Sequence, residues 1–394
     1  MSGPIRFTLV AAGVSLALLA PSSSAPVRAQ GIASVSAPAS QGATARQAPA
    51  TKPRAWVMPR TPDGKPDLQG NWTNETQTPL ERMSATGGTL TDAQAAAIEK
   101  RALDVEEYRD KPSDPNRPAP KKGGEANNLA APGERSFIEQ ISEAAGGAVG
   151  GYNGFWLDPG LNVIRIDGVA RSSIIIDPPS GRVPALTDAG KKRLAEIGAR
   201  GRKFGEFDHP ETRPLADRCL VSFGSNAGPP MLPNYFYNNN YTIVQTTDHV
   251  MILSEMVNDV RIIRIGATTH PPKHITKWFG DSIGRWEGDT LVVETTNIHP
   301  MQLDQTSILW AYRGATENLK VTERFTRSGP DTIRYRFTMD DPATFTAPFT
   351  GELPFNRIDE MIYEYACREG NYAMSNILSG ERSKEREAAQ QKKQ

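Results

Sequence analysis

Three glutamates on predicted strands are the side chains best placed for acid–base chemistry in this sequence. Alternate side chains of an extended strand share one face, and Glu255, Glu294 and Glu323 each share theirs with large apolar residues. A carboxylate in an apolar wall either has a raised pKa or binds a cationic partner, and both are typical of functional sites. The pattern predicts Glu255 and Glu323 as catalytic acids or bases and Glu294 as a ligand contact.

Arginines on the same predicted strands leave two interpretations of these glutamates open. In the first, Arg261 and Arg285 bind the anionic part of a ligand or stabilise an anionic intermediate. In the second, these arginines and Arg324 neutralise the glutamates as structural ion pairs, or the strands turn the carboxylates towards solvent. The residues alone do not separate the two interpretations.

Histidine and aromatic side chains supply the other candidate site residues. His270 and His274 are separated by Pro271 and Pro272, which exclude the helix that would place both histidines on one face. We therefore predict no metal site and no cofactor, and a catalytic role for His270, with a loop histidine as the alternative. Further ligand contacts are predicted mainly at aromatic residues, which are equally typical of a sheet core. They are Trp278, Asp281, Trp286, Tyr363 and Tyr365.

Motifs and charge exclude several classes of function. The sequence contains no glycine-rich phosphate loop, no HExxH and no CxxC, so nucleotide-driven chemistry and zinc proteolysis are not expected. The 45 basic and 45 acidic side chains give a formal net charge of zero and are mixed along the chain. No sustained attraction to nucleic acid or to anionic lipid is expected from such a distribution.

The amino-terminal residues predict export. Arg6 precedes an apolar stretch, 7–20, that is too short to span a bilayer, and small residues continue to the expected cut before Gln30. This pattern predicts a signal peptide over 1–29, with an uncleaved anchor as the alternative. Residues 30–55 are rich in alanine, serine, proline and glutamine and predict a disordered leader. The mature protein is expected to be periplasmic or secreted, without stable membrane insertion.

The sequence contains two cysteines, Cys219 and Cys367. An even number of cysteines in an exported chain predicts a disulfide, because thiols tend to oxidise outside the cytoplasm. Two buried free thiols are the alternative.

Period-two apolar patterns after Cys219 predict about nine strands. Turn-forming residues separate them, so consecutive strands are expected to pair as antiparallel hairpins. The predicted strands are 241–247, 250–256, 260–265, 276–280, 290–296, 319–325, 332–339, 349–355 and 361–367. Before them, helices are predicted at 91–110 and 187–200 and a hairpin at 172–184.

The predicted fold class is mainly β: an antiparallel lipocalin-like barrel or a strongly curved sheet, decorated by amino-terminal helices and loops. So many strands in sequence have to close or stack to remove their edges, and closure is the simpler solution. The predicted domains are a wrapping region over 56–218, the barrel over 219–380 and a charged tail over 381–394.

Two sets of motifs resemble known families. The sequence GNW at 70–72, ahead of a long meander, resembles the GxW start of lipocalin-type barrels. GDSIGRWEGDTLVVETTN, ERFTRSGPDTIRYRFTMDDP and YEYACREGNY resemble a family of functionally uncharacterised exported bacterial proteins over most of 56–382. That resemblance implies export but no activity. The chain departs from that family at Asn258 and Arg368, where histidine is expected, so histidine-dependent chemistry is not carried over.

These features predict a protein that binds a small, partly apolar molecule, aromatic or sugar-like, in the mouth of a barrel outside the cytoplasm. The main alternative is an extracytoplasmic hydrolase, lyase or isomerase in which inward carboxylates act as general acid and base. A structural envelope protein without a small ligand is the third hypothesis.

Overall fold

The computed structural model of the protein describes residues 56–83, 87–109, 158–234, 237–305 and 312–392. The predicted signal peptide over 1–29 and the predicted leader over 30–55 lie outside these residues, so both stay predictions. All described residues belong to one compact unit.

Twelve strands and four α-helices are present in the described residues. The strands are β1 (Gly70–Thr73), β2 (Arg165–Ile166), β3 (Val169–Ala170), β4 (Ile175–Asp177), β5 (Asn240–Gln245), β6 (His249–Ser254), β7 (Asp259–Ile265), β8 (Asp281–Glu287), β9 (Thr290–Thr296), β10 (Lys320–Gly329), β11 (Thr332–Asp340) and β12 (Phe349–Ile358). The helices are α1 (Asp92–Arg109), α2 (Asp188–Lys203), α3 (Pro300–Leu303) and α4 (Tyr372–Gln391).

Nine of the strands form a closed barrel in the order β1-β5-β6-β7-β8-β9-β10-β11-β12, with β12 paired again to β1. Neighbouring strands are antiparallel except β7 and β8, where Ile263 lies opposite Ser282 in a parallel register. A ring with an odd number of strands cannot alternate in direction throughout, so at least one parallel pair is required for closure. The mainly β barrel is confirmed, whereas the expectation of antiparallel pairing is only partly right, because β7 and β8 are parallel.

Strand β1 closes the ring, although it lies within the predicted wrapping region, 56–218. Asn71 pairs with Thr242 of β5 on one side and with Ile358 of β12 on the other. The barrel is therefore built from residues of both predicted regions.

The connection between β7 and β8, residues 266–280, makes the parallel pair possible. Parallel neighbours need a crossover of about a dozen residues or more, and this connection has that length. Asn297 holds it in place, because its Nδ2 donates to the carbonyl oxygens of Pro271, Pro272 and Ile275 at 3.2, 3.0 and 3.0 Å.

Two of the predicted strands do not form in the described residues. Residues 276–280 belong to the crossover and make one bridge, between Lys277 and Ile298. Residues 361–367 pair with no strand, because β12 ends at Ile358 and already completes the ring, which leaves no barrel edge for a further strand. An alternating pattern becomes a strand only where a neighbouring edge is free.

The hairpin predicted at 172–184 is replaced by two other pairings. β2 and β3 form a short hairpin around Gly168, while β4 pairs with β12, where Ile175 lies opposite Gly351. The prolines of the predicted hairpin lack the amide hydrogens that a returning strand would donate. Gly351 is required at the β4 contact, since a Cβ there would lie 2.3 Å from Phe337.

Both predicted helices are confirmed as α1 and α2. Thr187 caps α2, because its Oγ1 accepts from the backbone nitrogen of Gly190 at 2.9 Å. The predicted charged tail is the second half of α4, a helix without a buried residue. Among the helices that the structure describes, none has both the length and the apolar character needed to span a bilayer.

Aromatic side chains fill the barrel. The ring centroid of Tyr335 lies 5.0 Å from that of Phe325 and 4.9 Å from that of Phe355, and Phe355 stacks on Tyr241 at 5.1 Å. All four side chains are fully buried. The described interior is therefore a packed core, and the two ends and the outer face are the places for a binding site.

Trp72 and Arg327 close one end of the barrel. The guanidinium of Arg327 lies 5.2 Å from the Trp72 ring centroid and donates to the carbonyl oxygen of Asp67 at 2.7 Å. We call the opposite end, where β6 ends at Ser254 and β7 begins at Asp259, the mouth.

Candidate functional site

The structure distributes the predicted site residues over three places. Arg261 and Glu323 form a pair inside the barrel, which we call the interior pair. His270, Asp281 and Glu294 form an outer-face cluster beside the crossover. Glu255 lies at the mouth, in the connection between β6 and β7.

The interior pair is sealed from solvent. Arg261 Nη1 contacts Glu323 Oε2, and Arg261 Nη2 donates to Glu323 Oε1 at 3.0 Å. Tyr335 donates its hydroxyl hydrogen to Glu323 Oε1 at 2.8 Å and accepts from the backbone nitrogen of Met231 at 2.9 Å. Glu323 is 0% exposed. This geometry favours the structural ion pair over the catalytic role predicted for Glu323.

The electrostatics of the interior pair agree with a structural role. Burial lowers the pKa of the Arg261 guanidinium, but attraction to Glu323 outweighs it and the pKa is raised overall. The Arg261 guanidinium is therefore held in its charged form, within hydrogen-bond distance of Glu323.

The outer-face cluster fastens the crossover to the barrel. His270 Nδ1 lies 2.9 Å from Asp281 Oδ2, and His270 Nε2 lies 3.5 Å from Glu294 Oε1. Arg264 donates to Asp281 Oδ2 at 2.6 Å and Lys277 to Asp281 Oδ1 at 3.3 Å. Burial raises the pKa of Asp281, but the hydrogen bonds from His270 and Arg264 outweigh it and the pKa is lowered. The aspartate is therefore an ionised anchor.

A serine next to this cluster points away from it. Residues 280–284, GDSIG, match the GxSxG pattern of hydrolase nucleophiles. In the structure, however, Ser282 is 1% exposed and its Oγ lies 2.8 Å from Thr295 Oγ1. Side-chain alternation along β8 places Ser282 on the inner face and Asp281, with His270, on the outer face. The three residues do not form a catalytic triad.

The other predicted ligand contacts are spread over the surface and the core. The ring of Trp278 lies tilted against that of His299 with ring centroids 4.2 Å apart, and Trp286 packs against the core. Arg285 pairs with Glu287 at 2.7 Å on the exposed surface. Tyr363 is 73% exposed. The structure does not bring these four residues together.

The disulfide between Cys219 and Cys367 is present, as predicted, with the Cα atoms 5.7 Å apart. It joins residues 363–371, which we call the strap, to the segment that precedes the barrel strands. The strap follows the end of β12 and precedes α4, and it contains no strand.

A cavity of about 250 Å³ lies at the mouth between the strap and the connection from β6 to β7, and it opens to solvent. We call it the mouth cavity. Its lining includes carboxylates, one guanidinium, one aromatic ring and both cysteines of the disulfide. The lining residues are Cys219, Val257, Asn258, Asp259, Glu364, Tyr365, Cys367, Arg368 and Glu369.

Three of these lining residues have strained backbones. Cys219, Val257 and Asn258 have φ values of 55°, 59° and 52°, in the left-handed region. A β-branched residue such as Val257 rarely adopts it, and positions of this kind concentrate at ligand sites and switch regions. The sequence does not predict these left-handed backbone positions, because asparagine is the one residue type of the three that visits this region routinely.

Asp259 is the partly buried carboxylate of the mouth cavity. Burial raises its pKa, while the nearby guanidinium of Arg368 acts in the opposite direction. Its Oδ1 accepts from the backbone nitrogen of Val260 at 3.0 Å. Asp259 lies between two predicted strands, 250–256 and 260–265, and its burial was not predictable because it depends on the distant strap.

Both positions at which the sequence departs from the family it resembles, Asn258 and Arg368, line the mouth cavity. No family model, no curated protein and no solved structure matches the chain. The resemblance to that family therefore stays a prediction.

Glu255 is separate from Glu323 and binds other partners. It is 8% exposed, and its Oε2 accepts from Asn240 Nδ2 at 2.9 Å. Burial raises its pKa, hydrogen bonds from Asn240 and Asn238 lower it, and the charge of Asp158 raises it again, so that the pKa is raised overall.

A carboxyl pair at the mouth was not predicted from the sequence. Glu75, just after β1, hydrogen-bonds to Asp158, and two carboxyl groups can share such a bond only when one of them carries a proton. Burial, followed by this bond and the charge of Asp158, raises the pKa of Glu75 to about 8. Glu106 on α1 adds a smaller contribution in the same direction. The two residues are far apart in sequence, so only the fold brings them together.

Glu75→Gln is expected to raise the free energy of unfolding at pH 9, on the order of 2 kcal/mol, and to change it little at pH 4. The folded state holds an extra proton on Glu75 between the ordinary pKa of 4.5 and about 8, so stability falls as pH rises through this window. Glutamine keeps the shape without the charge. This expected change in the free energy of unfolding is smaller than the full pKa shift of Glu75 would give, because the carboxyl pair is partly exposed to solvent. Urea unfolding at both pH values measures the effect.

The exposed Glu317 provides the control, because Glu317→Gln removes a carboxylate that is not buried. The control should leave unfolding unchanged at both pH values. An equal effect of Glu75→Gln at pH 4 and pH 9 would show that Glu75 has an ordinary pKa.

Proposed function

We propose that this protein binds a small, partly apolar, sugar-like molecule in the mouth cavity, outside the cytoplasm. The observation that carries the proposal is the half-buried Asp259 in an open cavity at the barrel mouth, walled by the strap on one side. Ligand sites in barrels commonly lie at the mouth, and a few convergent polar groups orient the ligand.

The size and lining of the mouth cavity support this class of ligand. Its volume of about 250 Å³ lies below the range of about 300 to 1,000 Å³ typical of drug-sized ligands. Val257 and Tyr365 offer apolar surface to the carbon–hydrogen face of a sugar ring, and the carboxylates accept hydrogen bonds from hydroxyl groups. Carboxylates outnumber the single guanidinium of Arg368, so the site favours a ligand with an amino group.

The proposed compartment is the periplasm or the exterior. The disulfide supports this location, because such bonds persist in oxidising compartments and are rare in the cytosol. The apolar stretch over 7–20, expected from the sequence to be a signal peptide, is the second argument.

We expect glucosamine to bind more tightly than glucose, and glucose more tightly than glucuronate. The three probes share one ring and differ in charge, so their order isolates the electrostatics of the mouth cavity. Asp259→Asn should weaken glucosamine binding about tenfold, because a charge-assisted hydrogen bond becomes a neutral one. Isothermal titration calorimetry or equilibrium dialysis measures these affinities.

Asp331→Asn is the matched control, since Asp331 is exposed in the turn between β10 and β11, away from the lining. It should leave the affinities unchanged. Failure of all three sugars to bind would contradict a sugar-like ligand, and equal binding by wild type and Asp259→Asn would contradict the site.

An extracytoplasmic hydrolase, lyase or isomerase is the second candidate, favoured by the carboxyl pair of Glu75 and Asp158. With a pKa of about 8, Glu75 would act as a general acid near neutral pH while Asp158 acts as a base. Cleavage of chromogenic glycosides that slows as pH rises through about 8 and is lost in Glu75→Gln would support it. Turnover unaffected by Glu75→Gln would remove it.

A further inference from the structure

The strap contributes one whole wall of the mouth cavity. The strap supplies Glu364, Tyr365, Arg368 and Glu369. The opposite wall consists of Val257 and Asn258, from the connection between β6 and β7, and of Asp259, the first residue of β7. The disulfide ties the strap to Cys219, and both cysteines line the cavity. The integrity of the cavity therefore depends on how the strap is held.

Two hydrogen bonds hold the strap close to the disulfide. Arg368 Nε donates to the carbonyl oxygen of Cys219 at 3.4 Å, and Asn371 Nδ2 donates to that of Asp217 at 3.2 Å. Both bonds join the strap to the segment next to Cys219. Their donor–acceptor distances lie at or beyond the upper end of the usual range for N–H···O bonds. Neither is expected to hold the strap alone once the covalent bond is open, because each contributes modestly in net terms.

Helix α4 adds no fully buried anchor in the described residues. It follows the strap, contains no buried residue, and begins with Tyr372, which is 74% exposed. Apolar burial is the main source of helix docking energy, and α4 has little of it.

The barrel does not depend on the strap for closure. Its last strand, β12, ends at Ile358, before the strap begins, and the closing pairs between β12 and β1 lie within 71–73 and 356–358. A change in the strap can therefore leave the nine-stranded ring intact.

We propose that the Cys219–Cys367 disulfide is a redox latch: reduction by a thiol releases the strap and α4, and so takes the mouth cavity apart while the barrel stays closed. Cys219 is 3% exposed and Cys367 is more exposed, so the incoming thiolate attacks Cys367 Sγ from the open cavity. Cys219 leaves as a thiolate and takes up a proton. A second thiolate then displaces Cys367 from the mixed disulfide, which yields two protein thiols and one oxidised reductant disulfide.

Hydrogen exchange of the full chain, with and without dithiothreitol, tests the latch. Intact mass after alkylation first establishes that the bond is reduced. We expect amides over 361–392 to exchange at least about tenfold faster after reduction, while amides of β10 and β11 stay protected up to the lowered free energy of global unfolding. The variant Cys219→Ala/Cys367→Ala should show the reduced pattern without reductant, and wild type with oxidised dithiothreitol should show the unreduced one.

Three results would overturn the latch. These are a disulfide that resists dithiothreitol in the folded protein, unchanged protection over 361–392 after confirmed reduction, and loss of protection throughout the barrel. The consequence for ligand binding rests on the proposed function and is measured separately, as loss of glucosamine binding on reduction. A released strap in a protein that never binds glucosamine would contradict the proposed ligand and leave the latch standing.

Discussion

Replacing both cysteines with serine, Cys219→Ser/Cys367→Ser, is expected to lower the free energy of unfolding by about 3 to 5 kcal/mol. The bond joins residues 148 apart and encloses β5 to β12, eight of the nine barrel strands. In the chain-entropy model, a loop of this length restricts the unfolded state by about 5 kcal/mol. The lower bound allows for the freedom that a released strap gains in the folded state.

Urea unfolding followed by tryptophan fluorescence measures this loss. Wild-type protein unfolded in dithiothreitol is the matched control and should coincide with the double variant, because both lack the same bond. Coincidence of the variant with oxidised wild type would contradict the prediction.

Glu323→Gln is expected to lower the free energy of unfolding by about 3 to 5 kcal/mol. The substitution leaves the charge of Arg261 without a counterion in a fully buried position. Removal of both charges should cost much less, so Arg261→Met/Glu323→Leu is expected to be more stable than Glu323→Gln. Thermal and urea unfolding of the three proteins at pH 7 give the comparison.

Glu255→Gln is the matched control for the interior pair, because it removes a buried carboxylate that has no arginine partner among its described contacts. Its pKa is raised, so the charge opposes folding at neutral pH, and glutamine should leave stability unchanged or slightly increased. Equal losses in Glu255→Gln and Glu323→Gln would contradict the structural distinction between these two residues.

Local patterns were sufficient to predict most of the elements. The helix at 187–200 was predicted from its cap, and the strand at 290–296 from its alternation, because both signals lie within a few residues. The disulfide was predictable from the even cysteine count, which needs no geometry. The mainly β barrel followed from the number of successive strands, since such a run has to remove its edges.

Strand direction and closure depended on the whole ring. The parallel pair of β7 and β8 follows from closing an odd number of strands, and that number became odd only when β1 joined from the amino-terminal region. Residues 361–367 alternate like a strand, yet the ring was already complete at Ile358. No local pattern reports whether an edge is still free.

The sequence by itself determined which segments alternate, where turns and helix caps lie, and that Glu323 would share its face with apolar residues. Only the tertiary structure decided that Glu323 is neutralised by Arg261, because the pairing joins two strands that are not consecutive. It likewise decided that Glu75 meets Asp158 and that Asp259 faces the strap. The chemistry of a carboxylate depends on groups within a few ångströms, and distant parts of the chain supply those groups.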